Sequence, residues 1–155
     1  MRCTKSKAMK KMITLAAIFI SATLTAFRAE AGDNVNSRVL EQFKKEFSEA
    51  TDIKWSVTNE IVKANFNYHN ARTEAYFTTD GQLIGTARSI LFSQLPIAVA
   101  KEVEKKYAAT TVYEIVEYYV NGETQYSMIV DLGKNKLKIK STAGGNTWVE
   151  KKLRK

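Results

Sequence analysis

Few side chains in this chain could carry chemistry, and their spacing argues against most reactions. His69 is the sole histidine, and it stands beside Asn70 in what reads as a hairpin loop, so one chain cannot build a metal site from several imidazoles. Cys3 is the sole cysteine, which rules out an internal disulfide and a multi-thiolate metal site. Glu114, Glu117 and Glu123 lie close together, but Glu114 and Glu117 differ in parity and point to opposite faces of a strand. That is a poor start for an acid and base acting as a pair. Ser127 and Lys140 could be cross-strand neighbours, as nucleophile and base, yet exposed lysines in general are protonated at neutral pH. Gly144-Gly145 opens no helix and lacks the lysine and hydroxyl of a phosphate loop, so it reads as a turn. The expectation is no catalytic residues, no metal and no cofactor.

What remains is suited to contact. Val112 to Val120, Glu123 to Leu132, Lys136 to Ser141 and Thr147 to Leu153 alternate as strands, divided by Asn121-Gly122, Gly133-Lys134-Asn135 and Gly144-Gly145. A two-residue loop at Asn121-Gly122 pairs Val120 with Glu123, Tyr118 with Gln125, Val116 with Ser127 and Glu114 with Ile129. Tyr113, Ile115, Tyr126, Met128 and Val130 then form the core-facing set. With Lys134-Asn135 as the next loop, Leu132 meets Leu137, Val130 meets Ile139 and Asp131 meets Lys138. The opposite face carries Val116, Tyr118 and Ile129 beside the row Lys136, Lys138 and Lys140. By the same alternation Trp148 points opposite to Val149 and Leu153, Tyr76 points opposite to Phe77, and both extend that face. A tyrosine among valines, bordered by long cationic chains, has the composition of a protein-binding patch. The same residue types also favour strands and keep a sheet soluble, so both readings stand at this point.

The first half has the same plan. Ser37 to Ala50 places Val39, Leu40, Phe43, Phe47 and Ala50 at helical spacing, and from Ile53 the period changes to two. His69-Asn70-Ala71 offers a short loop, and Asp80-Gly81 suggests a type I′ hairpin. Pro96, the sole proline, opens a second helix with Val99, Val103 and Tyr107 on one side. Phe47 to Ile53 matches Tyr107 to Tyr113 in role, about 60 residues apart. The expected fold class is α+β: tandem helix-plus-four-strand units, at about 36–92 and 93–155, forming an antiparallel sheet with helices on one face.

Residues 1–31 read as a signal peptide. Arg2, Lys5, Lys7, Lys10 and Lys11 precede the apolar run Met12 to Leu24, and Ala29-Glu30-Ala31 fits cleavage after Ala31. The run is shorter than the roughly 20 residues of a membrane span, so no stable membrane anchor is expected. Removing 31 of 155 residues leaves 124, one domain. The leader holds six basic residues and one acid, which reduces the net charge from +8 to +3 in the mature chain. So modest an excess does not suggest nucleic-acid binding. The basic end Lys151-Lys152-Leu153-Arg154-Lys155 reads as a solvated terminus.

Together the leader and the doubled unit resemble the PepSY-like, β-lactamase-inhibitor-protein-like family of small exported bacterial proteins. The second half carries the closer match in Val116-Glu117, Asn121-Gly122, Tyr126, Gly133-Lys134, Leu137 and Ile139. The family's terminal Asp-x-Asp-Gly hairpin is kept as Thr79-Asp80-Gly81 and weakened to Ala143-Gly144-Gly145. The resemblance implies a non-enzymatic protein of the cell envelope, periplasmic or secreted. The inhibitor that lends the family its name grips its target with the sheet face away from its helices and uses disulfides, which this chain lacks. The expected function is binding of another envelope protein, with inhibition or modulation of an envelope enzyme as its sharper form. The alternative is an envelope small-ligand or metal-ion sensor that uses the same open sheet.

Overall fold

The structure, a computed structural model, describes residues 35–108 and 110–154. The leader and the cleavage point after Ala31 lie outside the described residues. The chain forms α1 (Ser37–Glu46), β1 (Thr51–Val57), β2 (Ile61–Tyr68), β3 (Ala71–Thr78) and β4 (Leu83–Ser89). A single 3-10 turn at Phe92–Gln94 leads into α2 (Ile97–Lys106), β5 (Thr111–Val120), β6 (Glu123–Asp131), β7 (Lys136–Thr142) and β8 (Thr147–Leu153). All eight strands make one antiparallel sheet in sequence order. The tandem helix-plus-four-strand arrangement is therefore present, with both helices on one face.

Each helix is short because a local signal stops it. Asn36 caps α1 by accepting from the Arg38 N–H at 3.0 Å, and its amide donates to the Thr79 carbonyl at 3.1 Å, which fastens the helix to the β3–β4 hairpin. The helices end before aromatic caps, Phe47 and Tyr107, both at φ −131°, which leave the helical region and turn the chain towards the sheet. Val39 and Phe43 bury the inner stripe of α1 against Val62, Ala64, Phe66, Ala75 and Phe77. Phe43 stands within 6.3 Å, ring centre to ring centre, of Phe47, Trp55, Phe66 and Phe77. The second core is mostly aliphatic: Val99 and Val103 of α2 meet Ile115, Tyr126, Met128, Val130, Leu137 and Ile139. One plan is thus filled twice with different side chains.

Four details differ from the sequence expectations. A bulge at Glu114, φ +50°, adds a residue to β5, so Val112 joins the core side and Tyr113 crosses to the helix-free face opposite Ile129. Asp52, φ +53°, marks the equivalent bulge in β1. The β6–β7 connection takes four residues, Leu132 to Asn135, so Asp131 meets Lys136 and Val130 meets Leu137. That register slips by two residues from the expected one and therefore leaves every side chain on its expected face. In β8 an extra residue at Glu150 puts Leu153 on the same face as Trp148, not the opposite one. The Asp80-Gly81 turn is not type I′, because only Gly81 has positive φ, at +99°; it is a type I turn closed by a glycine bulge. True two-residue I′ turns occur at His69-Asn70 and at Asn121-Gly122.

Candidate functional site

Antiparallel pairing aligns same-face residues in rows across the helix-free side. One row runs Asn65, Glu74, Ala87, Tyr118, Gln125, Thr142, and the next runs Val116, Ser127, Lys140, Trp148. Tyr76 lies beside Lys63, and Ile129 lies between Tyr113 and Lys138, with Lys136 one row further on. All eight expected contact residues, Tyr76, Val116, Tyr118, Ile129, Lys136, Lys138, Lys140 and Trp148, therefore share one face. No helix among the described residues covers it. Ser127 and Ile129, and Lys140 beside them, are nonetheless buried. Trp148 stays 40 % exposed at the β8 end.

The lysine row is not a bare cationic border. Glu150, placed by the bulge in β8, takes Lys140 on Oε1 at 2.5 Å and Lys138 on Oε2 at 3.0 Å. Burial works against the Glu150 carboxylate, but the hydrogen bonds from Lys140 and Lys138 outweigh it and hold the pKa below the ordinary carboxylate value. Lys136 pairs with Asp131 at 3.8 Å and lies 5.4 Å from the ring centre of Tyr113. Its ammonium form is favoured first by the hydrogen bond with the Tyr113 hydroxyl. These ties restrict the freedom of the long side chains on this face.

In the first unit Glu74 organises a second network. Its Oε1 accepts from Lys63 Nζ at 3.3 Å and Asn65 Nδ2 at 3.1 Å, and its Oε2 accepts from the Tyr76 hydroxyl. Burial, then donation to Glu74, pushes Tyr76 far above the ordinary phenol range. Tyr118 is raised by burial and then by the charges of Glu74 and Glu150. Both phenols therefore stay protonated. Alternation alone points to Tyr76 and not to its network, although Glu74 shares the parity of Tyr76 and a two-residue turn at His69-Asn70 pairs Lys63 with Tyr76 and Asn65 with Glu74. Tyr113 was assigned to the core because a bulge leaves no mark on simple alternation.

No family model matches the sequence, and neither does any curated protein. Solved structures do match in shape. A BLIP-like protein from Bacteroides fragilis has a TM-score of 0.68 at 22% identity, covering 77% of this chain and 87% of that one. The chain has the BLIP-like fold. A putative periplasmic protein from Bacteroides eggerthii gives 0.67 at 18% identity over 77% of this chain and 88% of its own. A DUF2874 family protein from Bacteroides ovatus gives 0.67 at 21% identity over 79% and 89%. The BLIP-like fold is common to these chains at low identity, so what they share is the frame of helices and strands rather than the side chains on its faces.

Proposed function

We propose that this chain is a non-enzymatic binding protein of the bacterial envelope, periplasmic or secreted, that holds another envelope protein against the helix-free face of its sheet and so modulates it. The observation that carries this reading is the joint placement of Tyr76, Tyr113, Tyr118 and Trp148, with Val116 and Ile129, on a face that no element among the described residues covers. Aromatic anchors supply contact area with few rotatable bonds, and the ion pairs around them limit the ordering required on binding. The BLIP-like fold supports the same face, through the resemblance noted from sequence. An export leader and the Bacteroides eggerthii match support the compartment.

The test is capture from envelope extract at physiological salt with the mature chain, a Tyr118→Ala/Trp148→Ala variant, and a Lys101→Ala control on the helix side. The wild type and control should retain the same protein, and the double variant, with native circular dichroism and melting temperature, should retain at most about a tenth as much. Retention by the double variant, or no specific protein on the wild type, overturns the reading.

A further inference from the structure

The two hydrophobic cores do not merge. Between them, on the helix-bearing side, β4 and β5 present Thr86, Arg88, Glu117 and Tyr119 where a continuous core would need apolar residues. This polar seam is the floor of a cleft of about 310 Å³. Phe47 and Tyr68 wall it on the side of the first core, and Ile90, which packs against the second core, and Gln94 wall it on the other. The volume is that of roughly ten liquid water molecules, at the lower end of small-molecule sites.

The hydrogen-bonding capacity left open in the cleft is unequal. Both oxygens of Glu117 are engaged: Oε1 accepts from the Tyr126 hydroxyl at 3.1 Å and Oε2 accepts from Arg88 Nε. Arg88 is thereby anchored, while its side chain remains 55 % exposed and its Nη fork has no other partner among the described residues. Gln94 accepts the Leu91 N–H at 2.7 Å through Oε1, and its amide donors have no partner among the described residues. The hydroxyls of Thr86 and Tyr119 also lack a protein partner among the described residues. The carboxylate of the seam has a donor on each oxygen, whereas the Arg88 fork and the Gln94 amide still have donors to give.

We propose that this cleft is a binding site for a small carboxylate with an apolar or aromatic body. The carboxylate would lie on the Nη fork of Arg88, whose planar geometry matches it, with the body against Phe47, Tyr68 and Tyr119. A phosphate dianion fits less well, because Arg88, the one arginine lining the cleft, is already paired with Glu117, whose charge repels a dianion more than a monoanion. The carboxylate could belong to a free small acid or to the C-terminus of a polypeptide. The site exists only because two units are joined, since each supplies one wall and one side of the Arg88–Glu117 pair.

Titration of the 15N-labelled mature chain tests this, with phenylacetate, phenylacetamide, N-acetylphenylalanine, and a tetrapeptide ending in phenylalanine with a free or amidated C-terminus. Saturable shifts are expected at the amides of Thr86, Arg88, Glu117 and Tyr119 with carboxylates, and affinity at least about tenfold weaker with the amides. Arg88→Gln should weaken carboxylate binding at least tenfold, and Tyr119→Ala, which leaves the Arg88–Glu117 pair in place, several-fold. Binding of phenylacetate supports a free acid; binding of the free-ended peptide alone supports a polypeptide end. No saturable shift with any acid, equal binding of acid and amide, or unchanged affinity in Arg88→Gln overturns the proposal. The Tyr118→Ala/Trp148→Ala variant should bind the acid normally, so failure of the sheet-face reading is separable from failure here.

Discussion

Glu150 shows how much one residue can arrange on an open face. It holds together Lys138 and Lys140, the cross-strand neighbours of Ile129 and Ser127. Its folded pKa lies below the free value of 4.5, so it contributes stability above that value and loses the contribution as pH falls through the folded pKa. Glu150→Gln should therefore lower stability by about 1 kcal/mol at pH 7, and the difference from wild type should shrink as pH falls below 4.5. Urea unfolding at several pH values measures it, and a difference independent of pH would remove the ion pair as its cause. The alternation of Lys136, Lys138 and Lys140 is visible in the sequence, but the carboxylate that ties two of them together is not. Which acid reaches which ammonium depends on the register between β7 and β8.

At the scale of elements, the last hairpin of each unit repeats the same threonine-centred backbone bonds despite unlike sequences. Thr78 and Thr142 each accept on the backbone carbonyl from a glycine N–H, and on the hydroxyl from the N–H of the residue after that glycine. Gly81 and Gly145 then lie against the first turn of their own helix. A Cβ on Gly145 would stand 2.8 Å from the Ala98 carbonyl oxygen, at φ +88°, whereas a Cβ on Gly122, at φ +83°, would meet nothing. Gly122→Ala should cost about 1 kcal/mol of backbone strain, and Gly145→Ala about 2 kcal/mol or more, because the helix must also move. Thermal unfolding of the two variants gives the comparison, and equal losses would deny the hairpin-to-helix contact. The weakened Ala143-Gly144-Gly145 motif thus conceals an intact turn, since what the turn requires is the glycine at its last position.

The whole molecule is two cores on one sheet, joined where β4 meets β5. Gly85 permits that closeness, as a Cβ there would lie 2.6 Å from the Tyr119 carbonyl oxygen. Because the aromatic and aliphatic clusters stay separate, damage to one should be felt first within its own unit. Phe66→Ala, which removes a fully buried ring, should cost about 3–5 kcal/mol and raise hydrogen exchange in β1–β3 well before β6 and β7. Uniform acceleration across all eight strands would instead show a single cooperative unit. The sheet's two edges, β1 and β8, each carry a bulge and at least one lysine, Lys54 in β1 and Lys151 and Lys152 in β8, features that discourage pairing with another chain.

Period and punctuation determined the element order, the doubling and the face assignment of most strands, because amphipathic alternation and turn residues are local properties written residue by residue. The common face of Tyr76, Val116, Tyr118, Ile129, Lys136, Lys138, Lys140 and Trp148 follows from that alternation alone. Tertiary structure decided the rest: the bulges at Asp52, Glu114 and Glu150, the passage of Tyr113 to the helix-free face, the pairing of the lysines, and the cleft over Arg88 and Glu117. Each of these depends on how far apart cross-strand neighbours come to rest and where two helices leave the sheet uncovered, and such distances are set by packing among residues far apart in the chain.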